Sequence, residues 1–239
     1  MKQMASPERS KAILEVHYRT TAHWAHPIRR AIDRAPALAK QDERWGTGAI
    51  SDYAFAIETR LRYLPQIITF LDDHLAILNS ELRRGGAKGH LQRGHAFSFR
   101  NEKALQRVLF GTTAFITESR ACFENLAAFY REFLRTYFDQ TIGKKAAYEV
   151  VTNSTKDSAW ADALRRIRGD VIHQRSLFLA FVDEAGWPPI FSMNWRPGQF
   201  GLDDRIEFQT LVKIWEGLHA ASRAMQAKIV ETVRTGCAP

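Results

Sequence analysis

The residues best suited to chemistry lie in the short stretch Arg168-Gly-Asp-Val-Ile-His173, in which four residues separate an arginine from a histidine. Histidine is the side chain whose ordinary pKa, about 6.5, allows proton transfer near neutral pH. Arginine stays charged and offers paired donors to phosphate oxygens. His173 could therefore transfer protons without a metal, while Arg168 could stabilise the negative charge of a phosphate. Asp170, three residues before His173, could orient or polarise the imidazole.

This stretch resembles the Arg-x4-6-His signature of HEPN domains (higher eukaryotes and prokaryotes nucleotide-binding), with Arg168 and His173 as the matching pair. The resemblance covers residues 50–235, where two long predicted helices precede the motif, a third contains it and another follows. It implies a small, usually dimeric all-α bundle whose catalytic members are metal-independent endoribonucleases of toxin, antiviral and RNA-processing systems. The chain departs from many members at Gly169, where they carry a polar residue, and from some toxins at Arg175, where they carry Tyr.

The spacing of the two motif residues constrains how they act together. Five residues at about 100° each place Arg168 and His173 about 140° apart around an ideal helix. The length of the arginine side chain, a distortion at Gly169 or a second chain must therefore close the gap. We expect a homodimer, because a two-fold axis would bring four catalytic groups around one phosphate and such interfaces are the commonest in oligomers.

The same residues also have ordinary structural interpretations. His173 could be a partly buried helix residue with a satisfied ring, and Arg168 a surface residue that pairs with Asp170 or Glu184. Three hypotheses therefore follow from the sequence: a HEPN-like endoribonuclease, a non-catalytic HEPN-like module that binds RNA, nucleotide or a partner protein, and a plain helical scaffold whose basic loops serve assembly.

The charge of the chain favours a polyanionic partner, since its formal net charge is +8 at pH 7. The segment 83–107 contains a single acidic residue, Glu102, and seven basic residues: Arg83, Arg84, Lys88, Arg93, Arg100, Lys103 and Arg107. We predict RNA contacts in this loop and beside the motif, at Arg84, Lys88, Arg93, Arg165 and Arg175. A solvated connector that confers solubility is the alternative.

A polar residue within an apolar stripe is the next candidate for the site. Ser119 lies between Phe115 and Phe123 on the second long helix, flanked by Glu118 and Arg120, and these three polar residues could line the site. The alternative for Ser119 is a hydrogen bond to the backbone carbonyl four residues earlier, which is usual for serine inside a helix.

The elements that position these residues follow from apolar spacings of three and four, which predict long helices over 50–83, over 105–137, from 157 to a stop at Gly186, and after residue 204. The third of these would carry Phe178 and Phe181. Short connections favour an all-α, antiparallel four- to five-helix bundle over 49–239. Residues 1–48 are predicted to form a helical addition packed against it, and residues 190–202 a small hairpin or ordered loop.

Several classes of protein and site are not expected. The two cysteines, Cys122 and Cys237, form no CxxC pair, and no signal peptide or membrane span is evident, so we predict a cytoplasmic protein with no membrane partner. The histidines lack the pattern of a zinc site, and phosphate-binding and nucleophile-elbow motifs are missing, so no metal or cofactor is expected. The resemblance adds an antitoxin or other regulatory protein to RNA as an expected partner.

Overall fold

The computed structural model describes residues 24–39, 45, 48–84, 99–173, 176–179, 190–193 and 205–236, with only the backbone for residues 169–173, for the first two strands and for Arg205. Helices dominate these ranges, which confirms the helical class. The elements are α1 (His26–Asp33), α2 (Pro36–Ala39), α3 (Ala49–Arg84), α4 (Glu102–Phe138), α5 (Lys144–Thr152), α6 (Ala159–His173), β1 (Ser176–Leu179), β2 (Ile190–Met193), β3 (Arg205–Ile206) and α7 (Phe208–Thr235).

Three of the four predicted long helices are confirmed with nearly the predicted bounds, namely α3, α4 and α7. The reason is visible in α4, whose predicted stripe is buried at every position from Val108 to Tyr137. A continuous apolar stripe can be buried only if the backbone keeps its helical period, so the periodicity and the packing specify the same structure.

The prediction for the third long helix was wrong at its C-terminal end. The helix α6 ends at His173, and Phe178 lies in β1, which pairs antiparallel with β2 in a register that places the backbone of Phe178 opposite that of Phe191. A short run of apolar residues fits a buried strand as well as a helix. Here the pairing of residues 176–179 with residues 190–193 determines that the run forms a strand. The predicted hairpin or loop over 190–202 contains β2, the central strand, whose partners β1 and β3 lie outside that range. The short helix α5 was not predicted.

The described residues fall into two compact units. The first unit contains those within 24–62, 122–156 and 220–236, and the second contains those within 63–121 and 157–219. The helices α3, α4 and α7 each belong partly to one unit and partly to the other, so each unit contains one segment of each of these long helices. The motif residues Arg168 and His173 belong to the second unit.

The core of the first unit is built around Phe129 of α4, which is fully buried. Its ring lies edge-on to the indoles of Trp24 and Trp45, with ring centroids 5.1 Å and 5.9 Å apart, respectively. The indole N–H of Trp24 donates to the Ser222 carbonyl at 3.1 Å, and its backbone N–H donates to the buried carboxylate of Glu58 at 2.7 Å. Residues from the segment 1–48 therefore share this core.

The core of the second unit fixes the orientation of the motif helix. One face of α6 buries Trp160, Leu164 and Ile167, whereas Arg165 and Arg166 are exposed on the opposite side. Gly217 of α7 allows Trp160 to approach closely, since a Cβ at Gly217 would lie 2.6 Å from the Cβ of Trp160 and overlap its indole. This contact sets how α6 packs against α7.

Gly217→Ala is expected to lower the free energy of unfolding by about 1–3 kcal/mol, because overpacking against Trp160 outweighs the better helix propensity of alanine. Chemical denaturation of the variant measures this. Gly111→Ala is the matched control, since a Cβ there has milder contacts, with Leu71 Cδ2 at 2.9 Å and Phe70 Cδ1 at 3.3 Å, and does not overlap a ring. Equal stabilities of the two variants would contradict the close approach at Gly217.

Candidate active site

The two motif residues lie on one helix, near its C-terminal end. The helix α6 continues without a break through Gly169 and ends at His173, so the angular separation of about 140° expected for a regular helix applies. Three residues later β1 begins, and α6 lies against β2. The backbone of His173 therefore ends α6, three positions before the first strand of the small sheet.

Arg168 is half-buried, and its polar atoms are unusually placed. The Nε atom is buried and has no hydrogen-bond partner among the residues whose side chains the structure describes. The sequence also suggested that Arg168 pairs with Asp170 or Glu184, but the side chains of these two residues lie outside the described part of the structure. A buried donor without an acceptor costs roughly 1–3 kcal/mol, so an acceptor oxygen that reached this Nε would be stabilising.

The exposed side of α6 next to Arg168 is cationic. Arg165 donates to the carboxylate of Asp162 at 2.7 Å, and the two side chains are 67% and 66% exposed. An ion pair this exposed contributes about 0–1 kcal/mol, so Arg165 can exchange Asp162 for a phosphate at little cost. Arg166 is exposed as well.

The three polar residues predicted to line the site lie together in the middle of α4. Ser119 is fully buried, and the alternative predicted for it, a hydrogen bond from its hydroxyl to the carbonyl four residues earlier, is not formed, since its Oγ has no partner in the described part of the chain. Thr112, in the same stripe, does make this bond, to Val108 at 2.8 Å. Glu118 and Arg120 are half-buried, and each interacts with another residue. No hydrogen bond joins Ser119 to Arg168 among the described residues.

The predicted RNA-binding residues are described only in part. Arg84 is the exposed last residue of α3, whereas Lys88, Arg93 and Arg175 lie outside the described residues, as do the side chains of Asp170 and His173. Three further cations of the basic segment are exposed at the start of α4: Arg100, Lys103 and Arg107. The two residues that precede α4 are held by Glu81 of α3. Its carboxylate accepts hydrogen bonds from the backbone N–H groups of Arg100 and Asn101.

Sequence analysis did not single out Phe110, which is 75% exposed three residues after Arg107 on α4. Arg107 is held by His74, with Nη1 3.0 Å from the imidazole Nε2, and His74 Nδ1 lies 2.8 Å from the Phe70 carbonyl. The i, i+3 spacing puts a guanidinium and an aromatic ring side by side on the surface. This spacing was available in the sequence, but an apolar residue at a helical position is usually assigned to the core.

Two further observations concern metals and membranes. Within the described ranges, no three His, Cys, Asp or Glu side chains come together in a way that could hold a metal ion. None of the described helices has the length and apolar character needed to cross a bilayer.

No family model, curated protein or solved structure matches this chain. The resemblance to HEPN domains therefore rests on the motif and on the predicted order of the helices around it.

Proposed function

We propose that this chain is a HEPN-like, metal-independent endoribonuclease that cleaves RNA through Arg168 and His173. The observation that supports it most is the state of Arg168: half-buried five positions before His173 on one helix, with an Nε that has no acceptor among the described side chains. A guanidinium held only for stability would be expected to have a carboxylate or carbonyl partner there. The Nε–H of Arg168 is left as a donor that a phosphate oxygen can accept from.

The chemistry assigns a separate role to each group. An imidazole of His173 accepts the proton of the 2′-hydroxyl as its oxygen attacks the neighbouring phosphorus, and Arg168 stabilises the pentavalent phosphate. An imidazolium then gives a proton to the departing 5′-oxygen. The products are a 2′,3′-cyclic phosphate and a 5′-hydroxyl. Asp170 orients the imidazole of His173 from one helical turn away.

The proposal includes an antiparallel bundle of four to five helices that associates as a two-fold dimer. Because α6 is regular through Gly169, one chain presents Arg168 and His173 on different sides of the helix, and a second α6 supplies the complementary pair. Two histidines near one phosphate would divide the base and acid steps between them. A toxin or antiviral role, with an antitoxin or similar regulatory protein that blocks the site, follows from the same resemblance.

The RNA is proposed to lie on the cations of α6 and on the basic segment from Arg83 to Arg107. Replacing Arg84, Lys88 and Arg93 by Gln is expected to flatten the salt dependence of RNA binding by up to about two units of slope, at roughly 0.7 per lost single-strand phosphate contact. Filter binding at several salt concentrations measures this. The control replaces three exposed cations elsewhere, Lys145, Lys213 and Arg223, by Gln. An unchanged slope in the first variant would make the segment a solvated connector.

A second candidate function is favoured by the surface at the start of α4. The exposed Arg100, Lys103 and Arg107 with the exposed Phe110 could hold single-stranded RNA by phosphate contacts and stacking, whether or not His173 acts on it. Incubation of the purified protein with labelled RNA in EDTA separates the two functions. Cleavage supports the endoribonuclease, whereas saturable binding without cleavage supports the non-catalytic RNA-binding module.

A further inference from the structure

A cavity of about 810 Å³ opens in the first unit, between the N-terminal helices and the ends of α4 and α7. Its volume lies within the range of about 300–1,000 Å³ that is usual for pockets holding small organic molecules. Part of its wall is apolar and formed by Leu38, Phe138, Val230 and Val233. The cavity can therefore shelter an apolar body of that size.

The rest of the wall is cationic. Arg30 and Arg34 stand one turn apart at the end of α1, Arg234 comes from the last turn of α7, and all three are exposed. The side chains of Arg30 and Arg34 have no hydrogen-bond or ion-pair partner among the described residues. Arg234 has a loose contact with Glu231 at 3.9 Å, in which both side chains are about two-thirds exposed. No carboxylate lines the cavity within the described part of the chain.

Helix ends explain only part of this arrangement. A cation near a helix C-terminus is stabilised by the helix dipole, and Arg30 and Arg234 each occupy such a place. The dipole stabilises a cation at any position around the last turn, however. It therefore does not explain why side chains from two different helices line the same cavity. Three guanidinium groups line one cavity whose described wall has no carboxylate, and a bound anion would offset the repulsion among these like charges.

We propose that this cavity is a binding site for a small organic anion that has a carboxylate, phosphate or sulfonate head and an apolar body. The head binds Arg30, Arg34 and Arg234, while the body lies against the apolar wall. None of these residues belongs to the Arg168/His173 motif, so the site is separate from the proposed ribonuclease activity and can be tested without RNA.

The probe is 1-anilinonaphthalene-8-sulfonate, and its neutral counterpart is N-phenyl-1-naphthylamine, which has the same aromatic body without the sulfonate. We expect one saturable sulfonate site per chain by fluorescence titration, with weaker binding of the neutral amine. Decanoate should displace the sulfonate at lower concentration than decan-1-ol does, since the two competitors differ mainly in the charged head.

Two variants assign the binding to this cavity. Arg30→Gln/Arg34→Gln is expected to weaken sulfonate binding roughly tenfold, the effect of losing two partly exposed charge contacts, and to leave the neutral amine unaffected. Ala31 also lines the cavity, and Ala31→Phe, which fills the apolar part, should weaken the binding of both probes. The matched control is Lys145→Gln/Arg223→Gln, which removes two exposed charges of the same unit outside the cavity wall.

The outcomes distinguish a built site from surface adsorption. Selective loss of sulfonate binding in the arginine double variant, with the control unchanged, supports the proposal. Non-saturable binding, an unchanged affinity in the arginine variant or an equal loss in the control would overturn it. Circular dichroism of each variant confirms that it is folded before the titration is interpreted.

Discussion

Replacing His173 by alanine is expected to slow RNA cleavage by roughly 10²- to 10⁴-fold, the usual contribution of a positioned acid or base. The loss should fall on kcat rather than on KM, because the RNA is held by cations such as Arg165 that the substitution leaves in place. Arg168→Lys should also be slow, since an ammonium keeps the charge but loses the paired planar donors. Single-turnover cleavage of a labelled RNA at several protein concentrations measures the cleavage rate of each variant and separates slower cleavage from weaker RNA binding.

The matched control for this experiment is His219→Ala, which removes an exposed histidine of α7 in the same unit. Its cleavage rate should equal that of the parent. If His173→Ala also cleaves at the parent rate, the motif is not the catalytic site, and Arg168 keeps only a binding or structural role.

Phe129→Ala is expected to cost about 3–5 kcal/mol of the free energy of unfolding, a large part of the roughly 5–15 kcal/mol that stabilises a domain. The phenyl ring is fully buried and contacts the indoles of Trp24 and Trp45 edge-on, so its loss leaves a cavity and removes two favourable ring contacts. Urea denaturation followed by circular dichroism measures the change in midpoint.

Phe110→Ala provides the control on the same helix, because this ring is 75% exposed and its removal should change stability by no more than about 0.5 kcal/mol. The comparison holds residue type and helix constant, and the two rings differ in burial and in the unit to which they belong. If Phe129→Ala unfolds at the same urea concentration as the parent, the aromatic cluster does not hold the N-terminal residues in the core.

The long helices could be predicted from the sequence because their apolar residues repeat over many turns. In α4 the stripe from Val108 to Tyr137 extends over eight turns, so local period and burial agree along the whole element. After His173 the sequence has only a few apolar residues, such as Leu177 and Phe178, and a helix or a strand would bury them equally well. What decides is pairing with residues 190–193, a contact that no local pattern contains.

The candidate site was predictable only as far as its residues lie close in sequence. Arg168 and His173 share one helix, so their spacing could be derived in advance, and the unbroken passage through Gly169 leaves it unchanged. The unpaired state of Ser119 could not be predicted, because it depends on what surrounds α4. The cavity was missed for a related reason, since Arg30 and Arg234 are about two hundred positions apart in the chain.

The most direct test of the proposed function is the chemistry of the cleaved ends. The protein is incubated in EDTA with a labelled RNA and with the same RNA methylated at every 2′-hydroxyl, beside the Arg168→Ala/His173→Ala variant. We predict that the parent cleaves only the unmodified RNA and leaves 2′,3′-cyclic phosphate and 5′-hydroxyl ends, and that the variant does not. No cleavage by the parent, cleavage of the methylated RNA, or cleavage that the double variant retains would contradict the proposal.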